Sequence, residues 1–397
     1  MISLIGVILA FVIIFVLRAK NIDFSITLLC ASLIIGVTSG KPFNIFLESA
    51  IKTIADIDTF NLFSAVALIT LLGYSVKKTG LMTDLINGLK GILSSQVLLL
   101  LIPALFGLLS MPGGALMSAP FNDPEANRIG LKPEHKTYIN VWFRHIWYWA
   151  SPISPVPILA SSLAGLNLQE FLYVQLPFFV VTIAIGFLIT RKFTNKTSER
   201  NPSEIDYNNI LKGLAPIIST IILTILGIPI WVGLIVGIVM VFIIKQVSLE
   251  SVTQIVKEGI RWDIAISVVS IFYLRYIIIA AGSVNDLFQI IYGSGISLTA
   301  LIITIPLLVG ILSGTPTMGL GIVFPLLIPQ FNISSIHIIS IMYAGIIAGY
   351  LASPMHLCLI LTNSFYKSDI RKVYRFIIPS IVALYSIIVI SHLVLNA

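Results

Sequence analysis

The stretch LLSMPGGALMSAP, residues 108–120, decides how this chain is read. It interrupts a hydrophobic run with Ser110, Pro112, Gly113 and Gly114. A helix cannot pass smoothly through such a run, because proline removes a backbone donor and glycine is entropically costly. Inside a bilayer a broken backbone survives only where protein or a water-filled cavity satisfies its polar groups. A second copy, ILSGTPTMGLGIVFP, residues 311–325, carries Ser313, Gly314, Thr315, Pro316 and Thr317. Two such breaks in corresponding halves of a hydrophobic chain point to the binding site of a transporter. The rest of the chain reads as a frame that holds the breaks near the midplane.

Composition supports that frame. Of 397 residues, 57% are hydrophobic and only 10% charged, and the mean hydropathy is +1.02. Soluble domains carry roughly 25% charged residues, so the chain reads as an all-α polytopic membrane protein. The net charge of +7 does not signal nucleic acid, because the basic residues sit in short loops, as the positive-inside rule expects. Cys30 and Cys358 lie in apolar runs and form no motif. No His or Cys cluster has metal-site spacing and no phosphate-binding loop is present, so neither a metal cofactor nor ATP drive is expected. The first apolar run lacks a preceding positive segment and a cleavage site, and reads as an uncleaved span with its N-terminus outside.

Taken in order, apolar runs at 2–17, 26–37 and 60–76 read as spans. The segment 42–57 has helical amphipathic spacing and suits an interface. Residues 96–121 read as a re-entrant hairpin whose return arm, 115–121, is too short to cross. A charged loop, 122–136, leads to a span at 138–163 that is itself broken at SPISPVP, residues 151–157. A span at 168–189 closes the first repeat, residues 1–190. The polar segment 191–209 is the linker, and 210–397 repeats the plan with a hairpin at 298–329.

The halves align at a shift of 202: Leu72, Tyr74, Gly80, Asp84 and Leu85 meet Leu274, Tyr276, Gly282, Asp286 and Leu287. Ala150-Ser151-Pro152 meets Ala352-Ser353-Pro354 at the same shift. Five spans plus a hairpin per half is an odd count, so the second half is inverted. That arrangement puts most Lys and Arg on one side and both termini outside, the first hairpin opening to the cytoplasm and the second to the exterior.

The order of spans, amphipathic helix, hairpin and broken helix resembles the ion transporter superfamily, closest to its gluconate permease and C4-dicarboxylate carrier branch. In particular, MPGGALMSAP (111–120), FRHIW (143–147) and SGTPTMGLGIVFP (313–325) are similar to an uncharacterised prokaryotic family related to the gluconate permeases. The chain lacks the Ser-Asn-Thr pairs that mark the sodium/dicarboxylate symporter branch. The resemblance implies a plasma-membrane permease, dimeric as these carriers typically are.

Candidate chemistry follows. Ser110, Pro112, Gly113 and Gly114, with Ser313, Gly314, Thr315 and Thr317, offer hydroxyls and open backbone at the hairpin tips. Free N–H groups and the positive helix end there suit an anion. Ser151, Ser154 and Ser353 mark the broken helices, and Thr362 and Asn363 follow. Arg144 is a charge inside a span and could take a carboxylate bidentately. His145 and His356 are candidates for relaying a proton. These residues predict a secondary transporter of small organic anions, sugar acids or dicarboxylates, coupled to H+ or Na+ in alternating access, and not an enzyme. A channel or a non-transporting membrane protein is the alternative.

Overall fold

The computed structural model of the chain describes residues 2–20, 22–109, 114–194, 206–282, 295, 297–331 and 333–395. Among these residues every regular element is helical. The first series is α1 (Ile2–Ala19), α2 (Phe24–Thr38), α3 (Asn44–Ala55), α4 (Ile57–Lys78), α5 (Leu81–Ile92), α6 (Ser95–Leu108), α7 (Gly114–Ile129), α8 (Pro133–Arg144), α9 (Pro155–Ala164) and α10 (Leu168–Arg191). The second is α11 (Tyr207–Ile225), α12 (Ile230–Ile244), α13 (Leu249–Gly259), α14 (Trp262–Ala281), α15 (Leu298–Ser313), α16 (Pro316–Gln330), α17 (Ile336–Ala352), α18 (Leu357–Tyr366) and α19 (Ile370–Leu395). Six helical stretches among the described residues are long and apolar enough to cross a membrane, and seven shorter apolar helices accompany them. The chain is a multi-pass membrane protein.

α6 packs on α7 and α15 on α16, with boundaries that differ from the sequence reading. The first return arm is not the short 115–121 piece. It continues as α7 through the residues expected in a charged loop, to Ile129. The cause is visible along one face: Ser118, Asn122 and Glu125, at i, i+4 and i+7, are all buried. These polar side chains turn inward, away from solvent. The second return arm begins at Pro316, because Thr315 in extended conformation lets Pro316 occupy the first helical turn. Ser110, Pro112 and Gly113 lie outside the described residues.

Contacts between the two series come in matched pairs. α3 packs on α14 while α13 packs on α4, α2 meets α14 while α12 meets α4, α7 meets α18 while α16 meets α9, and α8 meets α19 while α10 meets α17. Such reciprocity is what a two-fold relation between halves produces. α4 and α14 run antiparallel: Thr70 Oγ1, late in α4, accepts from the Arg261 backbone N–H at 3.2 Å. At the other end, Asp58 near the start of α4 is within electrostatic reach of Arg275 near the end of α14.

Several of the described basic residues gather at the end of the bundle where α4 stops. There Lys78 pairs with Glu258 at 3.5 Å, Lys245 with Asp84 at 2.7 Å, and Lys136 with Asp123 at 2.7 Å. Tyr74 also donates to Glu258, on amphipathic α13, and this bond foremost holds the carboxyl below the usual range. Lys245 and Asp84 are partly exposed, so Lys245→Ala should cost no more than about 1 kcal/mol. A melting curve of the purified variant checks this; a large loss would mean the pair holds α12 to α5 more firmly than a surface ion pair can.

Candidate functional site

Two glycines fix where the first hairpin sits. A Cβ on Gly107 would lie 1.9 Å from the Arg144 carbonyl oxygen, and one on Gly114 would lie 2.4 Å from both terminal guanidinium nitrogens of Arg144. The tip therefore touches Arg144 as closely as backbone can. Arg144 ends α8 and is only 6% exposed. Its guanidinium lies beside the first residue of α7, where helix N–H groups are unsatisfied and the dipole is positive.

The second hairpin docks the same way on the second break. Gly314 adopts φ +62°, and a Cβ there would lie 2.8 Å from the Met355 Cβ. Ser353 Oγ donates to the Ile311 carbonyl at 2.6 Å and accepts from the Met355 N–H at 3.1 Å. Ser313 Oγ donates to the Thr315 and Gly310 carbonyls. Ser313 and Ser353 therefore fold the breaks, while Thr315 caps α16 in extended conformation and Thr317 lies half-buried in its first turn.

The two breaks meet. His145 follows α8 and His356 precedes α18, and their rings are 4.8 Å apart. His145 Nδ1 is 2.6 Å from the Val141 carbonyl, which only a donor N–H satisfies. Its Nε2 is then an acceptor, and the Tyr350 hydroxyl donates to it at 3.2 Å. The Tyr350 ring also lies 4.0 Å from that of His356. His356 is fully buried. The Leu351 carbonyl faces its ring, yet neither nitrogen completes a hydrogen bond. Ser154 Oγ, buried at the start of α9, likewise has no partner, whereas Ser151 Oγ accepts from the Ile153 N–H.

Asn140, one turn before Arg144, connects the parts. It donates to the Ala115 carbonyl at 3.1 Å and to Thr362 Oγ1 at 3.0 Å, and accepts from Ser118 Oγ at 2.7 Å. Asn140→Ala would strand these groups inside the protein, at about 1–3 kcal/mol. The variant should melt several degrees lower; an unchanged melting temperature would show that water replaces the amide. Asn363 is not drawn into this junction, since its amide oxygen accepts from Ser368 near the basic end.

Sequence reasoning missed Asn140, Tyr350 and Tyr148, whose carbonyl accepts from Tyr343 at 2.5 Å. Asn140 had a usable signal: it sits at i−4 from Arg144, on the same helix face. A pocket of about 260 Å³ opens at the basic end between α4 and α13, lined by Lys77, Glu258, Arg261 and Met117 of α7. Met117 is three residues from Gly114, so the pocket approaches the first tip.

Ligand atoms of His145, His356 and Cys358 all lie within 4.8 Å of one another. Donors on one tetrahedral zinc sit about 3.3–3.8 Å apart, given bond lengths near 2.0–2.3 Å. The cluster would have to tighten, and a metal cation there would face the guanidinium of Arg144.

Residues 2–395 match the profile of a family described as a protein of unknown function, DUF401. No curated protein matches the chain. A crystal structure described as the Alcanivorax borkumensis YdaH transporter, of unusual topology, is similar with a TM-score of 0.69 and 13% identity, covering 96% of this chain and 97% of that one. At that identity the likeness carries the fold.

Proposed function

The chain belongs to the DUF401 family, and from that premise we propose that it is a secondary transporter of small organic anions, with Arg144 receiving the substrate carboxylate. The observation that carries the reading is the guanidinium of Arg144, 6% exposed and in contact with the first residue of α7. Burying such a charge is costly in a membrane protein and marks substrate or ion pathways. Around it, α7, α9, α16 and α18 all begin at the breaks. Half-helix N-termini aimed at an anionic group are how several transporter folds hold substrate.

The reciprocal packing of the two helix series supports an inverted repeat, and with it alternating access by movement of one bundle against another. The basic end is read as cytoplasmic by the loop-charge rule, which places the first hairpin's base on that side. The similar fold of a protein described as a transporter agrees with this reading. An intramembrane enzyme is less well supported. A nucleophile needs a base within hydrogen-bond reach, and neither nitrogen of His356 is bonded to Cys358 or a serine.

The test is flux into proteoliposomes. Gluconate, C4-dicarboxylates, citrate and lactate are offered under an imposed proton or sodium gradient, with a neutral sugar as control. Uptake of at least one anion above empty liposomes is expected. If the folded, reconstituted protein moves none of them, or moves the neutral sugar equally well, the anion reading fails.

A further inference from the structure

The base of the first hairpin holds three buried oxygens that nothing around them satisfies. Ser95 Oγ, Asn122 Oδ1 and Glu125 Oε2 are each inaccessible and without a hydrogen-bond partner. Their residues are 1%, 2% and 5% exposed. All three are acceptors, and one carries a formal charge.

Their placement follows from the backbone. Pro103 lies inside α6 and has no N–H, so the Leu99 carbonyl one turn earlier loses its helical partner. Asn122 of α7 fills that vacancy: its Nδ2 donates to Leu99 O at 3.0 Å. This bond fixes the amide's orientation and leaves Oδ1 buried and unpartnered. Ser95 is one turn before Leu99, and Glu125 is about one turn after Asn122. Because the two arms are antiparallel, both steps lead the same way, toward the basic end. The three oxygens therefore occupy neighbouring levels between α6 and α7.

No ion pair to Glu125 is found among the described residues. Lys136 is engaged by Asp123 at 2.7 Å and by Asn127 at 2.5 Å. A buried carboxylate without a partner is costly, and buried charges are normally paired or bind an ion. Three oxygen donors with a single negative charge match a hard monovalent cation. Calcium would draw six to eight oxygens and usually several carboxylates.

We propose that Ser95, Asn122 and Glu125 form a sodium site at the base of the first hairpin. This deepens the transporter reading, because it supplies the coupling cation, and it rests on that reading for its role in transport. The same helix joins the two sites: α7 begins at Arg144 and carries Glu125 eleven residues on, about 16 Å along its axis. Sodium ordering the hairpin's base would hold the tip in place against Arg144.

Binding can be measured without any organic anion, so the cation site and the anion site fail separately. The full chain in detergent is melted in sodium chloride and in choline chloride at equal ionic strength, and ²²Na⁺ binding is counted by scintillation proximity. Wild type should show a melting temperature that rises and saturates with sodium, and saturable ²²Na⁺ binding. Glu125→Gln should lose both. It should also melt no lower than wild type in choline, because it removes an uncompensated charge and keeps the shape. Ser95→Ala should weaken sodium binding several-fold and leave the choline melt unchanged, which covers the case in which Glu125→Gln folds poorly. Absence of a sodium-specific rise in wild type, or its persistence in Glu125→Gln, overturns the proposal. So does a transporter whose flux follows the pH gradient alone, with Glu125→Gln blocking it, since Glu125 would then carry a proton.

Discussion

Arg144→Ala should abolish saturable anion uptake while leaving a protein that can still be purified, and Arg144→Lys should restore only a small part of it. The lysine keeps the charge but not the planar pair of donors that grips a carboxylate. Hydrogen bonds to a charged group are worth roughly 1.5–3 kcal/mol, so the lysine variant should bind substrate about 10–100-fold more weakly. The alanine variant also removes the cation that the N-terminus of α7 faces, and its residual uptake should match that of empty liposomes. Binding of labelled substrate in detergent separates this effect from a defect in the conformational cycle. If Arg144→Ala takes up anion at the wild-type rate, the charge is structural and the carboxylate docks elsewhere.

The second large effect is on folding. A Cβ on Gly349 would lie 2.1 Å from the Leu307 carbonyl oxygen and 2.8 Å from the Ile311 nitrogen, and one on Gly310 would lie 2.4 Å from the Ile346 oxygen. These neighbours are backbone, so no rotamer change relieves the clash. α15 and α17 would have to separate. Overpacking a core by a methylene typically costs about 1–3 kcal/mol, and a backbone clash belongs at or above that ceiling. Gly349→Ala should therefore yield little monodisperse protein in size-exclusion chromatography. Ser364→Ala, at an exposed position of α18, should elute as wild type does. A well-behaved Gly349→Ala would mean that α15 and α17 are not held at the distance the structure gives.

What could be read from the sequence was local. Pro316 and Gly314 announce a break whatever surrounds them, and Arg144 stands out against its apolar run because a charge in a span is rare. The second break, at Gly314 and Thr315, and the amphipathic α3 and α13 followed from such punctuation. What was not legible depends on pairing across the chain. Asn122 and Glu125 read as loop residues because polarity usually means solvent, yet here the face they share is turned against α6. The bond from Asn122 to Leu99 exists because Pro103 frees a carbonyl, and only the packed hairpin brings donor and acceptor together. Tyr350 is one more aromatic in an apolar helix until His145, 205 positions away, accepts its proton.

Gly107 against Arg144, and Gly310 and Gly349 against Ile346 and Leu307, have a mechanical consequence. Main chains in such tight contact cannot slide without tearing that contact apart. On the transporter reading proposed above, each helix pair and the broken helix beside it would travel together, as one stiff cartridge. Flexure is left to the joints that tie each cartridge to the chassis, such as Leu93-Ser94 ahead of α6. The oily seam where Gly321 rides on Ile271 can serve as the bearing. On the transporter reading proposed above, substrate would be carried with its cradle rather than handed from one gate to the next.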